Sequence, residues 1–249
     1  MLLGSIMKLL STSLLVFRYH KPKGVLSTTL PTNDGVDIMQ SCAKLRHTIN
    51  EATGGRFVVP IGRLDKDSSG LLLLTTEESL CARLLRPSVK DDGSPIEKEY
   101  HVRTSRRVSD THCAKLSGGM KVSIRKEKVT TRPCVVERLE LGGDAGGPDS
   151  SALLRFVLRE GKNRQIRKML GALGHAVKDL KRVRFGTVEL GGLAPGGVEA
   201  LRSEEVKKLL KLSEQASERA VAGPAQEAVR RVAAAAAAHD RDHDGRRLL

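Results

Sequence analysis

The sequence predicts a domain of mixed α and β class, in which short strands and amphipathic helices interleave along one chain. Two observations carry that reading. Leu71–Leu74 is a short continuous apolar run, and Lys98–Val102 alternates, both at strand length. Between such runs, apolar residues recur at helical spacing, as at Ile38, Cys42, Leu45 and Ile49, or at Ile166, Met169, Leu170 and Leu173. No internal repeat is evident. No stretch approaches the roughly 20 apolar residues of a membrane span.

In chain order, Ser13–Phe17 reads as the first strand, and Lys21-Pro22-Lys23-Gly24 as a tight basic turn after it. Asn33-Asp34-Gly35 is a second turn. Asp37 opens one helix that Gly54-Gly55 ends. Next comes Ile61-Gly62-Arg63-Leu64-Asp65-Lys66-Asp67-Ser68-Ser69-Gly70, an acidic turn that leads into Leu71–Leu74 as a buried strand. Spacing alone makes it a hairpin whose aspartates serve turn chemistry. Thr75 and Glu78 form a capping box for a helix carrying Leu80 and Leu84 inward and stopping before Pro87.

Asp91–Pro95 is a polar loop, Lys98–Val102 a strand and Asp110–Leu116 a weak helix. Lys121–Ile124 and Cys134–Leu141 are two strands, followed by a glycine-rich loop and a strand at Leu153–Leu158. Ser203 caps a late helix with Glu204 and Glu205 in its first turn. Beyond Gly223-Pro224 the chain is Ala-rich and cannot form a core alone. The expected organisation is a short extension over 1–12, a main domain over 13–212 and a helical, then Ala-rich and disordered, tail over 213–249.

A formal net charge of +14 and a pI near 9.9 point to a polyanionic partner, nucleic acid before an anionic membrane surface. Aromatics are scarce and Trp is absent, so if the partner is RNA, charge and one or two rings must carry the contact. Cys42, Cys81, Cys113 and Cys134 form no Cys-x-x-Cys pair and do not cluster with histidines. No metal is expected, and a reducing compartment fits. The apolar N-terminus has Lys8 as its only charge before Arg18 and lacks a small-residue cleavage site. Cytoplasm and an organelle such as the mitochondrion both stay open, although about a dozen leading residues is short for a transit peptide.

Four segments, in order, resemble the RsuA-like branch of the RNA pseudouridine synthases. They are Lys21-Pro22-Lys23-Gly24; Gly62-Arg63-Leu64-Asp65 with Ser69-Gly70-Leu71-Leu72-Leu73-Leu74-Thr75; Lys98-Glu99-Tyr100-His101-Val102; and Glu160-Gly161-Lys162-Asn163-Arg164-Gln165-Ile166-Arg167, with its sequel through Arg182 to Gly186. The resemblance spans about residues 13 to 210. It implies an α+β fold with a long mixed, mostly antiparallel sheet flanked by helices and a central active-site cleft. It also implies that the small N-terminal RNA-binding module of many relatives is missing.

The family's essential aspartate falls on Asp65, its strand tyrosine on Tyr100, and the basic residue that pairs with the aspartate on Arg167. An arginine so placed keeps a partly buried carboxylate ionised and oriented. The implied reaction breaks the N-glycosidic bond of a uridine, turns the uracil and rejoins it through C5. No redox step or energy input enters, so no cofactor is expected. The uridine must first be flipped from its stack, with Tyr100 as the stacking candidate. Arg63 contacts RNA backbone, replaces the flipped base or forms a structural ion pair. Between Arg159 and Arg184 nine Lys or Arg face two acids, which favours a phosphate-binding surface. Lys21, Arg164, Gln165, Lys168, Lys181, Arg182 and Arg184 are the candidate RNA contacts. Ribosomal RNA, within pre-ribosomal particles, is the expected partner. Transfer RNA, or a non-catalytic ribosome-assembly factor on the same fold, are the alternatives.

Overall fold

The computed structural model of the chain describes residues 14–85, 96–139, 152–212 and 214. Strand β1 (Val16–Lys21) runs up to the basic turn, where Gly24 takes a left-handed φ of +84°. Asp37 accepts N–H bonds from Met39 and Gln40 and starts a helix, as expected. That helix is broken. α1 (Ile38–Ser41) and α2 (Ala43–Thr53) are separated by Cys42, whose backbone is extended. The Ser41 hydroxyl donates to the Ile38 carbonyl at 2.8 Å and competes with the helix ladder there. Gly54, at φ +64°, ends α2.

β2 (Val59–Ile61) and β3 (Ser69–Thr75) flank the acidic turn and pair antiparallel, Ile61 opposite Leu73. β3 is buried on both faces: Leu71 and Leu73 enter one core, Leu72 and Leu74 another. The expected capping box does not form. The strand runs through Thr75 itself, whose hydroxyl accepts from Glu77 N, and α3 (Glu78–Leu85) begins only at Glu78.

β4 (Lys98–Thr104), α4 (Asp110–Ser117) and β5 (Lys121–Ile124) follow as expected. β6 (Glu127–Thr130) is an addition. It has one apolar residue, and pairing with β5, Val129 opposite Val122, makes it a strand. Then come β7 (Val135–Leu139), β8 (Leu153–Leu158), α5 (Gln165–Ala172), β9 (Val177–Phe185), β10 (Val188–Glu189) and β11 (Val198–Ala200). A terminal helix, α6, covers 203–212. Its cap position is Arg202 rather than Ser203, and the Glu205 carboxylate reaches back to Arg202 N at 3.0 Å.

Nine strands form one sheet in the order β11-β1-β3-β9-β4-β8-β7, with β2 also on β3 and β10 on β9. Every pair is antiparallel except β3 with β9. The fold is therefore α+β with a mixed, mostly antiparallel sheet. One core lies on the β4, β7 and β8 half under α4 and α5; two others cover opposite faces of β1 and β3. Tyr100 packs against the first and third, bridging the two halves of the sheet. The extension over 1–12, the polar loop at Asp91–Pro95, the glycine-rich loop and the Ala-rich tail lie outside the described residues. No helix among the described residues is long and apolar enough to cross a membrane.

Candidate active site

The parallel pair β3–β9 brings the acidic turn and the basic motif together. Ser69 pairs with Lys181 and Gly70 with Arg182. Gly70 has φ +106°, and a Cβ there would lie 2.2 Å from the Arg182 carbonyl oxygen. Only glycine allows the two strands to approach so closely. α5 and the residue before it then lay Arg167 and Arg164 against the turn.

The turn is held from several sides. Ser68 N donates to Asp65 O at 3.0 Å, and Gly24 N to Lys66 O at 2.7 Å. The Ser27 hydroxyl donates to Leu64 O at 2.8 Å and accepts from Leu64 N at 3.0 Å, so one side chain satisfies both backbone groups beside Asp65. Lys21 is fully buried and donates to the carbonyls of Pro22 and Val25. Burial lowers its pKa to about 8, while Asp65 and Asp67 pull the other way. Lys21 is thus a cation beneath the turn and has no surface to offer a phosphate.

The arginines divide differently from the resemblance. Arg167 donates to Asp67 O at 2.9 Å and to Ser68 Oγ at 3.4 Å, and its Nε lies 3.4 Å from Asp67 Oδ2. Arg164 forms a bidentate pair with Asp67 at 2.9 and 2.8 Å and reaches Asp65 Oδ2 at 3.7 Å. So Asp67 anchors both guanidiniums. Among the described residues the cation within 4 Å of Asp65 is Arg164, not Arg167. The cause is local: Arg164 precedes α5 in left-handed backbone, φ +51° and ψ +34°, which turns its side chain onto the acidic turn. Foremost through the Arg164 hydrogen bond, the Asp67 carboxyl sits below the usual carboxylate range.

Asp65, its side chain 29% exposed, borders a cleft of about 320 Å³. Tyr100, Arg63, Ser68 and Arg164 share that wall. Arg63 is exposed and makes no ion pair among the described residues. Arg125 also lines the cleft, from the β5–β6 turn, where it and Lys126 have φ +50° and +71°. Sequence reasoning missed Arg125 together with β6, and missed Ser27; a two-residue turn between two short runs was the available signal for the first.

The other candidate RNA contacts scatter. Gln165 is buried; it donates to Glu160 and accepts from Lys162 N, locking the loop before α5. Lys168 reaches Asn163 at 3.2 Å. Lys181 opens onto a separate groove with Glu99 and His101. Arg182 is buried, its Nε on the Leu71 carbonyl at 2.7 Å. Arg184 is engaged by Glu97 and Glu99. Charge alone placed Lys21, Arg182 and Arg184 on an exposed phosphate-facing surface; burial takes Lys21 off it, acid partners take Arg184 off it, and Arg182 is withdrawn into the lining of an inner cavity. No group of three His, Cys, Asp or Glu side chains able to hold a metal occurs among the described residues.

Comparison with known proteins bears on the family and the fold. The family described as RNA pseudouridylate synthase matches residues 16–172. The dual-specificity RNA pseudouridine synthase RluF of Escherichia coli O6:H1 is 31% identical over 210 residues, 84% of this chain and 62% of the relative. The chain thus spans about three fifths of that relative's length. An uncharacterized RNA pseudouridine synthase of Aquifex aeolicus is 33% identical, covering 78% of this chain and 70% of its own. Ribosomal large subunit pseudouridine synthase B of Bacillus subtilis is 30% identical, at 80% and 72%. A solved pseudouridylate synthase superposes with a TM-score of 0.63 at 28% identity, over 79% of this chain and 74% of the other. This chain belongs to the RNA pseudouridylate synthase family.

Proposed function

We propose that the chain is an RNA pseudouridine synthase that isomerises uridine in ribosomal RNA, with residues 13–212 as the catalytic unit and pre-ribosomal particles as its setting. The observation that carries this reading is the Asp65 carboxylate, held at a rigid turn and opening into a cleft that it shares with Tyr100. A flipped uridine enters that cleft, with Tyr100 as the ring to stack on it. Asp65 acts on the ribose or the base, by covalent or proton-transfer chemistry. The bond from C1′ to N1 breaks, a bond from C1′ to C5 forms, C5 loses a proton and N1 gains one. Atoms and electrons balance without a co-reactant.

Arg164 and Arg167 support the reading by fixing Asp67, and through it the turn that carries Asp65. Arg63 and Arg125 offer positive charge at the cleft mouth. Ribosomal RNA is favoured over transfer RNA by the name of the Bacillus subtilis relative, while the name of the Escherichia coli relative allows two substrate classes. The test is incubation of the purified chain with unmodified ribosomal RNA and, separately, transfer RNA, followed by carbodiimide mapping of pseudouridine. New pseudouridine in ribosomal RNA supports the proposal. Modification of transfer RNA alone shifts the substrate, and none in either overturns it.

A further inference from the structure

Beside the Asp65 cleft lies a second chamber of about 500 Å³, with Tyr100 and Arg63 lining both. Lys98 and Arg182 form part of its wall, 9% and 2% exposed. Both cations stand over the ring of Phe185, Lys98 Nζ 5.6 Å and the Arg182 guanidinium carbon 5.4 Å from its centroid. The ring face offsets only part of two buried like charges.

Their other partners are incomplete. Among the described residues, Arg182 Nη2 is sealed from solvent and has no hydrogen-bond partner. Lys98 Nζ reaches the Ile96 carbonyl at a long 3.5 Å. The acid on this wall, Glu160, already accepts from Arg132 N, Gln165 Nε2 and Lys162 Nζ. Burial, reinforced by Arg182, lowers the Lys98 pKa to about 8 against the opposing pull of Glu160. Two sheltered cations facing an acid that other donors engage make a place where an anion restores balance.

We propose that this chamber takes a phosphate group of the substrate strand next to the flipped uridine, held by Lys98 and Arg182. The shared wall points to the ligand class: Tyr100, Arg63, Gly161 and Lys162 line both spaces, so a strand whose uridine occupies the Asp65 cleft passes beside the chamber. This rests on the RNA-modifying reading above. A phosphate seated there fixes the strand on one side of the target while Tyr100 and Asp65 engage the nucleoside on the other.

The test uses the full chain carrying lysine labelled with carbon-13 at Cε, the Lys98 signal being identified by its loss in Lys98→Met. Its titration is followed by NMR with uridine 5′-monophosphate, uridine or inorganic phosphate as probe. The expected result is a rise in Lys98 proton affinity of about tenfold or more, one pH unit, with uridine 5′-monophosphate and none with uridine. Lys98→Arg, which keeps the charge, is expected to retain nucleotide binding by calorimetry if Lys98→Met fails to fold. An unmoved Lys98 midpoint overturns the proposal, as does an equal response to uridine. Equal movement of every lysine signal with inorganic phosphate means an adventitious ion only, and overturns it too. No turnover is needed. A responding Lys98 in a chain that makes no pseudouridine sinks the proposed function alone, and a silent Lys98 in an active enzyme sinks the chamber alone.

Discussion

Asp67 carries both arginines so that Asp65 can face the cleft. Removing its charge with Asp67→Asn leaves Arg164 and Arg167 without their shared anchor and loosens the turn. The expected effect is a fall in kcat of about 10- to 100-fold, with RNA affinity nearly unchanged, read by single-turnover kinetics beside equilibrium binding. The pH dependence has a definite sign. The Asp67 pKa lies below its ordinary 3.8, so its stabilising pairing is complete above that value and is lost as pH falls through the folded pKa. Lys21 behaves oppositely to a paired surface lysine. Its folded pKa of about 8 is below the ordinary 10.5, so burying the charged form costs stability at neutral pH, and the cost fades as pH rises from 8 to 10.5. Wild-type stability relative to Lys21→Met should be flat below pH 8 and should climb by up to about 3 kcal/mol across that window, measured by denaturant unfolding at each pH.

At the scale of elements, the β3–β9 junction is the most sensitive point. Gly70→Ala places a Cβ against the Arg182 carbonyl in a backbone closed to alanine. It should cost more than about 3 kcal/mol, seen as a lower Tm, and should abolish activity. The elements with strong apolar periods were legible in the sequence: β3, β4, β8 and α5 stand where the pattern put them, and α3 does so apart from its later start. β6 was not, because Glu127-Lys128-Val129-Thr130 becomes a strand only by pairing with β5. The break at Cys42 was not, because it follows from the Ser41 side chain bonding back onto its own helix. Asp65 was legible through its motif. The Arg164 anchor was hidden in a left-handed backbone, and Arg125 in the tip of an unforeseen hairpin. Lys21, Arg182 and Arg184 looked like surface charges because charge does not tell which side of a strand faces a core.

At the scale of the molecule, a net charge of +14 suits a partner that carries phosphates. RNA affinity should fall steeply with salt, log K against log salt being linear with a negative slope. Asp65→Asn should leave that slope unchanged if, as proposed, Asp65 serves chemistry rather than attachment. That separation is the central claim. The most direct measurement is a pseudouridine map of cellular RNA from cells carrying the wild-type chain and from cells carrying Asp65→Asn, with RNA binding of both proteins measured in parallel. Loss of one or a few ribosomal RNA sites in the variant, with binding intact, is the predicted result. An unchanged map, with both proteins bound to ribosomal precursors, would contradict it and leave a binding factor on an enzyme's fold.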